Sequence, residues 1–189
     1  IATRGLSLWE QRPPKGLEDY ARQELIVYLP GDWEVDVEKP DLPSTWACML
    51  LWFSARYVID RNVFMGRGSV GHTEDTRHPT FFRYPYALFI PPLGESPEFF
   101  PSKFDGTTIE FSTLMLITQA EADFMKKNGE RALVLTMKER GTLDMVMQPL
   151  RSCTFEPDPE EQERRQRRAT VDMLLRAGDV LAHYEKHFG

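Results

Sequence analysis

The sequence predicts an α+β fold: a central mixed, mostly antiparallel β-sheet flanked by helices, plus a C-terminal charged and amphipathic helix. One segment carries much of this prediction, because an apolar strand over 108–117 turns directly into a helix over 118–129. Thr118 and Glu121 have the spacing of a capping box, in which the hydroxyl accepts from the N3 amide and the carboxylate accepts from the cap amide. Asn128-Gly129 ends the helix.

A second strand is predicted over 24–29, where five consecutive apolar residues precede Pro30-Gly31. An unbroken apolar run is typical of a strand covered on both faces, so this strand is expected to be central. Further strands are predicted over 1–8, 84–90 and 143–147. A loop is predicted over 94–106.

A helix is predicted over 45–60, with Ser44 as its N-cap. Large apolar side chains occur around its whole circumference, which predicts that it is enclosed on most sides. These residues are Trp46, Met49, Leu50, Trp52, Phe53, Tyr57 and Val58. Another short helix is expected over 130–140, ended by Gly141.

The C-terminal segment from Glu160 begins with acid-to-base pairs at i, i+4 spacing, which support an isolated helix. Its second half, from Val171, carries an apolar stripe at helical spacing, so it is expected to pack on the body or on a partner. We therefore predict one α+β domain over 1–150. The segment 151–189 is predicted to comprise a hinge at Pro157–Pro159 and a C-terminal helix that packs on the same domain.

The bulk composition excludes several classes of protein. The formal net charge of −6 argues against a general nucleic-acid coat and favours basic protein partners. The apolar stretch 46–59 is interrupted by Arg56 and is too short to cross a bilayer. Two widely separated cysteines, Cys48 and Cys153, indicate neither a disulfide framework nor a zinc site, so the cytoplasm is the expected compartment.

Candidate chemistry is sparse. The glycine-rich stretch 66–71 lacks the Lys-Ser/Thr of a phosphate-binding loop and follows a helix, which favours a plain turn. His72 and His78 flank Glu74 and Asp75, residue types that hold transition metals, but their spacing matches no metal motif. No nucleophile elbow or catalytic triad is found in the sequence, so no catalytic residue, metal ligand or cofactor is assigned.

Two groups of residues are predicted to contact a protein partner. Acids alternate with apolar residues from Asp32 to Glu38, which in an extended chain forms an acidic ridge. Aromatic residues in the proline-rich segment that follows residue 80 have the character of anchors on rigid loops, although packing onto the body explains them equally well. The predicted contact residues are Asp32, Glu34, Asp36, Glu38, Phe81, Phe82, Tyr84, Phe99 and Phe100.

Four of these segments occur in the order found in one family. They are the strand 24–33 (Glu-Leu-Ile-Val-Tyr-Leu-Pro-Gly-Asp-Trp), the helix ending in Ala-Arg-Tyr-Val at 55–58, the stretch 66–73 with its Gly-His-Thr, and the strand-to-helix junction 116–121. Over roughly residues 1–150 the chain resembles suppressor-of-fused domains, in particular the bacterial single-domain type.

The resemblance implies an α+β domain with a central sheet, no catalytic activity and a protein partner. For short bacterial relatives it implies an immunity protein that neutralises a cognate secreted toxin by direct binding. Two alternatives stay open: a regulatory scaffold that sequesters a transcription factor, and a metal- or ligand-binding enzyme that uses the loop 66–78. Neither nucleic acid nor membrane is expected as a partner.

Overall fold

The structure is a computed structural model, and it describes residues 1–33, 45–73, 84–96, 102–144 and 154–155. The chain separates into two compact units, Ile1–Thr154 and Phe155–Gly189, and the fold described below is that of the first unit. Most of the predicted strand 143–147, the predicted hinge and the predicted C-terminal helix lie outside the described residues.

A five-stranded mixed sheet forms the centre of the first unit. Its strands are β1 (Gln23–Ile26), β2 (Val70–His72), β3 (Tyr86–Ile90), β4 (Ser102–Phe104) and β5 (Thr107–Ile117). The order is β1-β5-β3-β2, with β4 paired to β5; β1 runs parallel to β5, and the other pairs are antiparallel. Among the described residues, three α-helices accompany the sheet: α1 (Trp46–Arg61), α2 (Gln119–Asn128) and α3 (Glu130–Glu139). The predicted α+β class with a mixed, mostly antiparallel sheet is confirmed.

β5 is the central strand, because it pairs with β1, β3 and β4. Its last six residues, 112–117, are all buried, and four of them are large apolar side chains. An uninterrupted apolar run of this kind suits a strand with neighbours on both sides and packing on both faces.

The junction from β5 to α2 has the predicted geometry. The hydroxyl of Thr118 accepts a hydrogen bond from the backbone N–H of Glu121 at 3.3 Å, and Glu121 Oε2 accepts from the backbone N–H of Thr118 at 2.8 Å. Gly129 then adopts a φ of 87° and a ψ of 162°, a conformation essentially restricted to glycine, and separates α2 from α3. The predicted capping box and helix end are confirmed.

β1 occupies a different place from the predicted one. Within the part of the chain that the structure describes, it lies at the end of the strand order, which contradicts the expected central position. The first residues of the chain cover its outer edge: the N–H of Thr3 donates to the carbonyl of Leu25, and the N–H of Val27 donates to the carbonyl of Ile1. Where the sequence predicts a strand over 1–8, the structure has an isolated bridge at Ala2 and a 3-10 turn, Leu6–Leu8.

β4 lies in the segment that the sequence predicted to be a loop. Asp105 and Gly106 both have positive φ, 47° and 77°, and they connect β4 to β5 as a two-residue hairpin. Asp-Gly is a preferred dipeptide for the type I′ turn because that turn needs positive φ at both central positions.

α1 buries one side against the sheet. Its residues Trp46, Leu50 and Val58 share a core with Phe89 of β3 and Leu114 of β5. Trp33 meets Trp46 edge-to-face, with ring centroids 5.7 Å apart. Over the described residues, no helix is long and apolar enough to cross a membrane.

Candidate protein-interaction surface

The exposed side of α1 is the most distinctive surface among the described residues. Trp52 is 58% exposed, Tyr57 is 52% exposed and Met49 is 36% exposed. Each residue of this side has others three or four positions away in the sequence, which places them all on one face of a helix, over about 140° of its circumference. We call this the aromatic face: Met49, Trp52, Phe53, Arg56, Tyr57 and Asp60.

The aromatic face corrects the prediction that the helix is enclosed on most sides. Ala47, Leu50, Leu51 and Val58 of α1 are buried in the core and Trp46 is buried beside Trp33, whereas Trp52 and Tyr57 are exposed. Large apolar residues occupy both sides of the helix, so its apolar pattern does not show which side packs. Only the position of the sheet shows this.

Contacts within the aromatic face order its side chains. Arg56 Nη2 lies 3.0 Å from Asp60 Oδ2, and the Arg56 guanidinium carbon lies 6.0 Å from the centre of the Trp52 ring. Trp52 and Phe53 meet edge-to-face, with centroids 4.9 Å apart. Each exposed contact contributes little to stability. Together they order Trp52 and Arg56, two residue types enriched at binding hot spots, on a regular helix.

A second ordered element lies at the start of the chain, around the carboxylate of Glu24. Its Oε1 accepts from the N–H of Gly5 at 2.9 Å, from the N–H of Ser7 at 3.0 Å and from the hydroxyl of Ser7 at 2.7 Å; its Oε2 accepts from the hydroxyl of Thr3 at 2.5 Å. Burial alone would raise the pKa of the Glu24 carboxyl, but these hydrogen bonds hold its pKa below the ordinary value. The carboxylate therefore organises residues 3–7.

The family model of the suppressor of fused protein (SUFU) matches residues 1–148. The chain belongs to the suppressor-of-fused family. This confirms the resemblance seen in the sequence, with nearly the same boundaries. Membership in this family indicates a protein-interaction module.

The suppressor-of-fused assignment agrees with the fold. The structure is similar to the crystal structure of a protein described as a suppressor-of-fused homologue from Neisseria gonorrhoeae, with a TM-score of 0.53 and 18% sequence identity. The match covers 72% of this chain and 65% of that one, so this chain spans about two thirds of the length of that relative. At this identity the likeness shows the fold alone. No curated protein matches the chain.

The predicted contact residues of this suppressor-of-fused domain fall into three groups. Asp32 is exposed, in a turn after β1. Tyr84 is completely buried among the core residues, so its predicted role as an exposed anchor is corrected. The physical reason is its position two residues before β3, where its ring faces the core. The other residues lie outside the described ones: Glu34, Asp36, Glu38, Phe81, Phe82, Phe99 and Phe100.

The glycine-rich stretch forms a turn leading into β2. The N–H of Ser69 donates to the carbonyl of Gly66 at 2.8 Å, and the N–H of Gly68 donates to the carbonyl of Phe89 at 2.8 Å, which ties the turn to β3. A Cβ on Gly66 would lie 2.4 Å from the ring of Phe64, so this glycine allows the ring to pack closely. These contacts support the predicted turn.

His72 is exposed at the end of β2, and its ring meets Tyr86 edge-to-face at 4.8 Å. Over the part of the chain that the structure describes, three or more potential metal ligands are nowhere grouped together. Glu74, Asp75 and His78 lie outside that part, so the metal hypothesis for the loop 66–78 stays a prediction.

Proposed function

We propose that this suppressor-of-fused domain is a non-enzymatic immunity protein, which neutralises a cognate secreted toxin in the cytoplasm by covering its surface through the aromatic face of α1. The observation that carries the proposal is the exposure of Trp52 and Tyr57 on a helix whose other side is part of the core. Two large aromatic side chains of one helix seldom both remain exposed on a protein that has no partner.

The aromatic face has the features of a preformed binding surface. Its backbone is regular helix, so binding does not require a loop to become ordered. The side chains of Trp52, Phe53, Arg56 and Asp60 already contact one another, which lowers the entropy lost when a partner immobilises them. Trp52 and Tyr57 supply apolar area, while Arg56 and Asp60 supply polar groups near them.

Charge is expected to set the rate of encounter. The net charge of −6 favours a basic toxin surface, and Asp32 is exposed at the start of the predicted acidic ridge. Reversing the charge of Asp32, Glu34, Asp36 and Glu38 should slow association and weaken its salt dependence. Association kinetics that are unchanged by this reversal would contradict a steering role for the ridge.

The decisive experiment uses the polypeptide encoded beside this gene as the candidate toxin. Coexpression of the wild-type chain should restore growth of a toxin-sensitive strain, and calorimetry with the purified toxin domain should show direct binding. Trp52→Ala and Tyr57→Ala should each weaken that binding at least tenfold, because central aromatic residues at interfaces commonly contribute that much.

Matched controls are available on other elements. Leu8 is 83% exposed and Leu135 is 48% exposed, and neither belongs to α1. Leu8→Ala and Leu135→Ala remove similar exposed apolar groups and should leave toxin binding unchanged. If the control variants lose as much toxin-binding affinity as the variants of the aromatic face, the assigned surface is contradicted. If the wild-type chain does not bind the toxin, the immunity role is contradicted.

A regulatory scaffold would bind a transcription factor in place of a toxin, so the same variants tested against that partner distinguish the two binding functions.

The ligand-binding alternative is distinguished by metal analysis of the purified protein. Stoichiometric zinc or iron that is lost on replacement of His72 and His78 would favour it over the proposed function.

A further inference from the structure

We infer that residues 1–10, which we call the edge strap, are a releasable cover of the outer edge of β1, held closed by the charges of Glu24 and Arg22. When the charge of Glu24 is lost, the edge strap detaches as a unit while the sheet behind it stays folded. The inference concerns a conformational change of this chain alone, so it does not depend on the proposed function.

Hydrogen bonds from two charged residues attach the edge strap. Glu24 of β1 accepts four of them, as described above. Arg22, just before β1, holds the later part: its Nη1 donates to the carbonyls of Ser7 and Leu8 at 3.0 and 3.1 Å, and its Nη2 lies 2.7 Å from Glu10 Oε2. Two residues that are two positions apart in extended backbone lie on the same side of the chain, so both act on the same segment.

Apolar burial contributes little to this attachment. Leu6 is the one buried residue among residues 1–10, and the larger apolar side chains of Ile1, Leu8 and Trp9 are exposed. A segment with few buried apolar contacts and partly exposed hydrogen bonds opens more readily than a core strand does. The edge strap therefore depends mainly on its polar contacts.

The edge strap ends at a fixed point. The next residue, Gln11, is buried; its N–H donates to the carbonyl of Ala21 at 2.8 Å, and its Oε1 accepts from the N–H of Met65 at 2.9 Å. Met65 follows α1 and is distant in sequence from the residues that hold the edge strap. Release of the edge strap can therefore stop at residue 10 and leave Gln11 in place.

Opening the edge strap uncovers backbone groups of β1. The carbonyl of Leu25 accepts from the N–H of Thr3, the N–H of Leu25 donates to the Thr3 hydroxyl at 2.8 Å, and the N–H of Val27 donates to the carbonyl of Ile1. Without the edge strap these groups become an unpaired strand edge, which can pair with the edge of another chain. The closed edge strap thus protects the chain from edge-to-edge association.

The charged side chains on the segments around this contact determine how release depends on pH. They are Arg4, Glu10, Arg22, Glu24 and Glu110. Burial alone would raise the pKa of Glu24, but its hydrogen bonds hold that pKa below the ordinary value, so the edge strap loosens as the pH falls through it. Both arginines stay charged over this range.

Two other carboxyl groups affect the comparison. Burial raises the pKa of Glu110 on β5, so protonation of Glu110 in acid does not weaken the fold. Glu10 also loses its charge in acid, and with it the exposed ion pair to Arg22. Because Glu24→Gln leaves both groups in place, the difference between this variant and the wild type isolates the contribution of Glu24.

Hydrogen exchange of the full chain, followed residue by residue by NMR at low urea concentrations, tests release as a unit. The amides of Thr3, Gly5 and Ser7 should have similar protection, at least tenfold below that of the amides by which β5 pairs with β3. Protection as high as in β5 would mean that the edge strap opens only when the whole protein unfolds, and would overturn the inference. Clearly different protection among the three amides would overturn release as a unit.

Variants test the role of Glu24. At neutral pH, Glu24→Gln should lower the protection of these three amides at least tenfold, because it removes the charge from four hydrogen bonds. Ser7→Ala removes one of the four bonds and should lower the protection less, which keeps the test informative if Glu24→Gln does not fold. Glu139→Gln, at an exposed position in α3, is the control and should leave the protection unchanged.

The same amides report the effect of acid. After correction for the pH dependence of intrinsic exchange, wild-type protection should fall toward that of Glu24→Gln as the pH is lowered to about 4. Unchanged protection in both Glu24→Gln and Ser7→Ala, or an equally large loss in acid in the wild type and in Glu24→Gln, would overturn the role of Glu24. These measurements contain no toxin, so their failure leaves the proposed function standing, and failure of toxin binding leaves the edge strap standing.

Discussion

Glu24→Gln is the substitution whose effect the structure specifies most closely. The carboxylate of Glu24 accepts four hydrogen bonds from Thr3, Gly5 and Ser7, and the residue is only 7% exposed. Glutamine has nearly the same shape but no charge, and its amide nitrogen places a donor where Oε2 now accepts from Thr3. The substitution therefore removes the charge from all four bonds and disrupts at least one of them.

The expected loss follows from the difference between two kinds of hydrogen bond. Bonds to a charged group contribute about 1.5–3 kcal/mol, and neutral bonds contribute about 0.5–1.5 kcal/mol. The four bonds share one carboxylate and do not add fully, so we expect a loss of about 2 kcal/mol in the free energy of unfolding at neutral pH. For a chain of this size that lowers the melting temperature by about 4–8 °C.

The pH dependence of this stability loss shows whether the charge of Glu24 causes it. The pKa of Glu24 is lowered in the folded state, so its contribution to stability is present above the unfolded pKa of about 4.3 and is lost as the pH falls through the folded pKa. The wild type and Glu24→Gln should therefore approach each other in stability below about pH 4.

Urea unfolding of both proteins between about pH 3 and pH 7 measures this difference. Glu139→Gln, at an exposed position near the end of α3, is the matched control and should change stability little at any pH. Equal stability of wild type and Glu24→Gln at neutral pH would refute the reasoning, and so would a deficit that persists undiminished in acid.

Three further outcomes are expected in unfolding experiments. Glu121→Ala should lower the free energy of unfolding by about 1–3 kcal/mol, because Glu121 is fully buried and accepts from the backbone N–H groups of Thr118 and Thr154. A smaller change would contradict its capping role. Gly129→Ala should lower the free energy of unfolding by about 1–3 kcal/mol through backbone strain. Gly94 has an ordinary φ and open space around it, so Gly94→Ala should leave the free energy of unfolding almost unchanged. Tyr84→Ala should lower the melting temperature strongly and Tyr57→Ala should barely change it, and equal effects would contradict their assigned burial.

The features predicted correctly from the sequence are those that neighbouring residues determine. Thr118 and Glu121 satisfy each other's backbone groups within one helical turn, and Gly129 ends the helix through its own backbone conformation. The hairpin at Asp105-Gly106 also has a local signal, but the prolines in this part of the sequence favour a loop for the short strand before it. Asp-Gly is a preferred turn between two strands, and this dipeptide is the sequence feature that indicates β4.

The features that the sequence did not show depend on distant residues. Whether Trp52 or Leu50 faces the sheet depends on where β3 and β5 lie relative to α1, and both residues are large and apolar. Similarly, Leu25 and Val27 are fully buried while Ile26 and Tyr28 are half-buried, so the apolar run 25–29 does not indicate a central strand. For this reason the sequence alone does not predict the aromatic face.

The parallel pairing of β1 with β5 has a consequence for synthesis of the chain. Gln23 pairs with Glu110, more than eighty residues later, so the ribosome completes β1 several seconds before its neighbour exists, at about 5–20 residues per second. During that interval Leu25 and Val27, both fully buried in the finished fold, remain exposed to solvent. The nascent chain therefore offers an apolar segment to chaperones for longer than a protein built from local hairpins would.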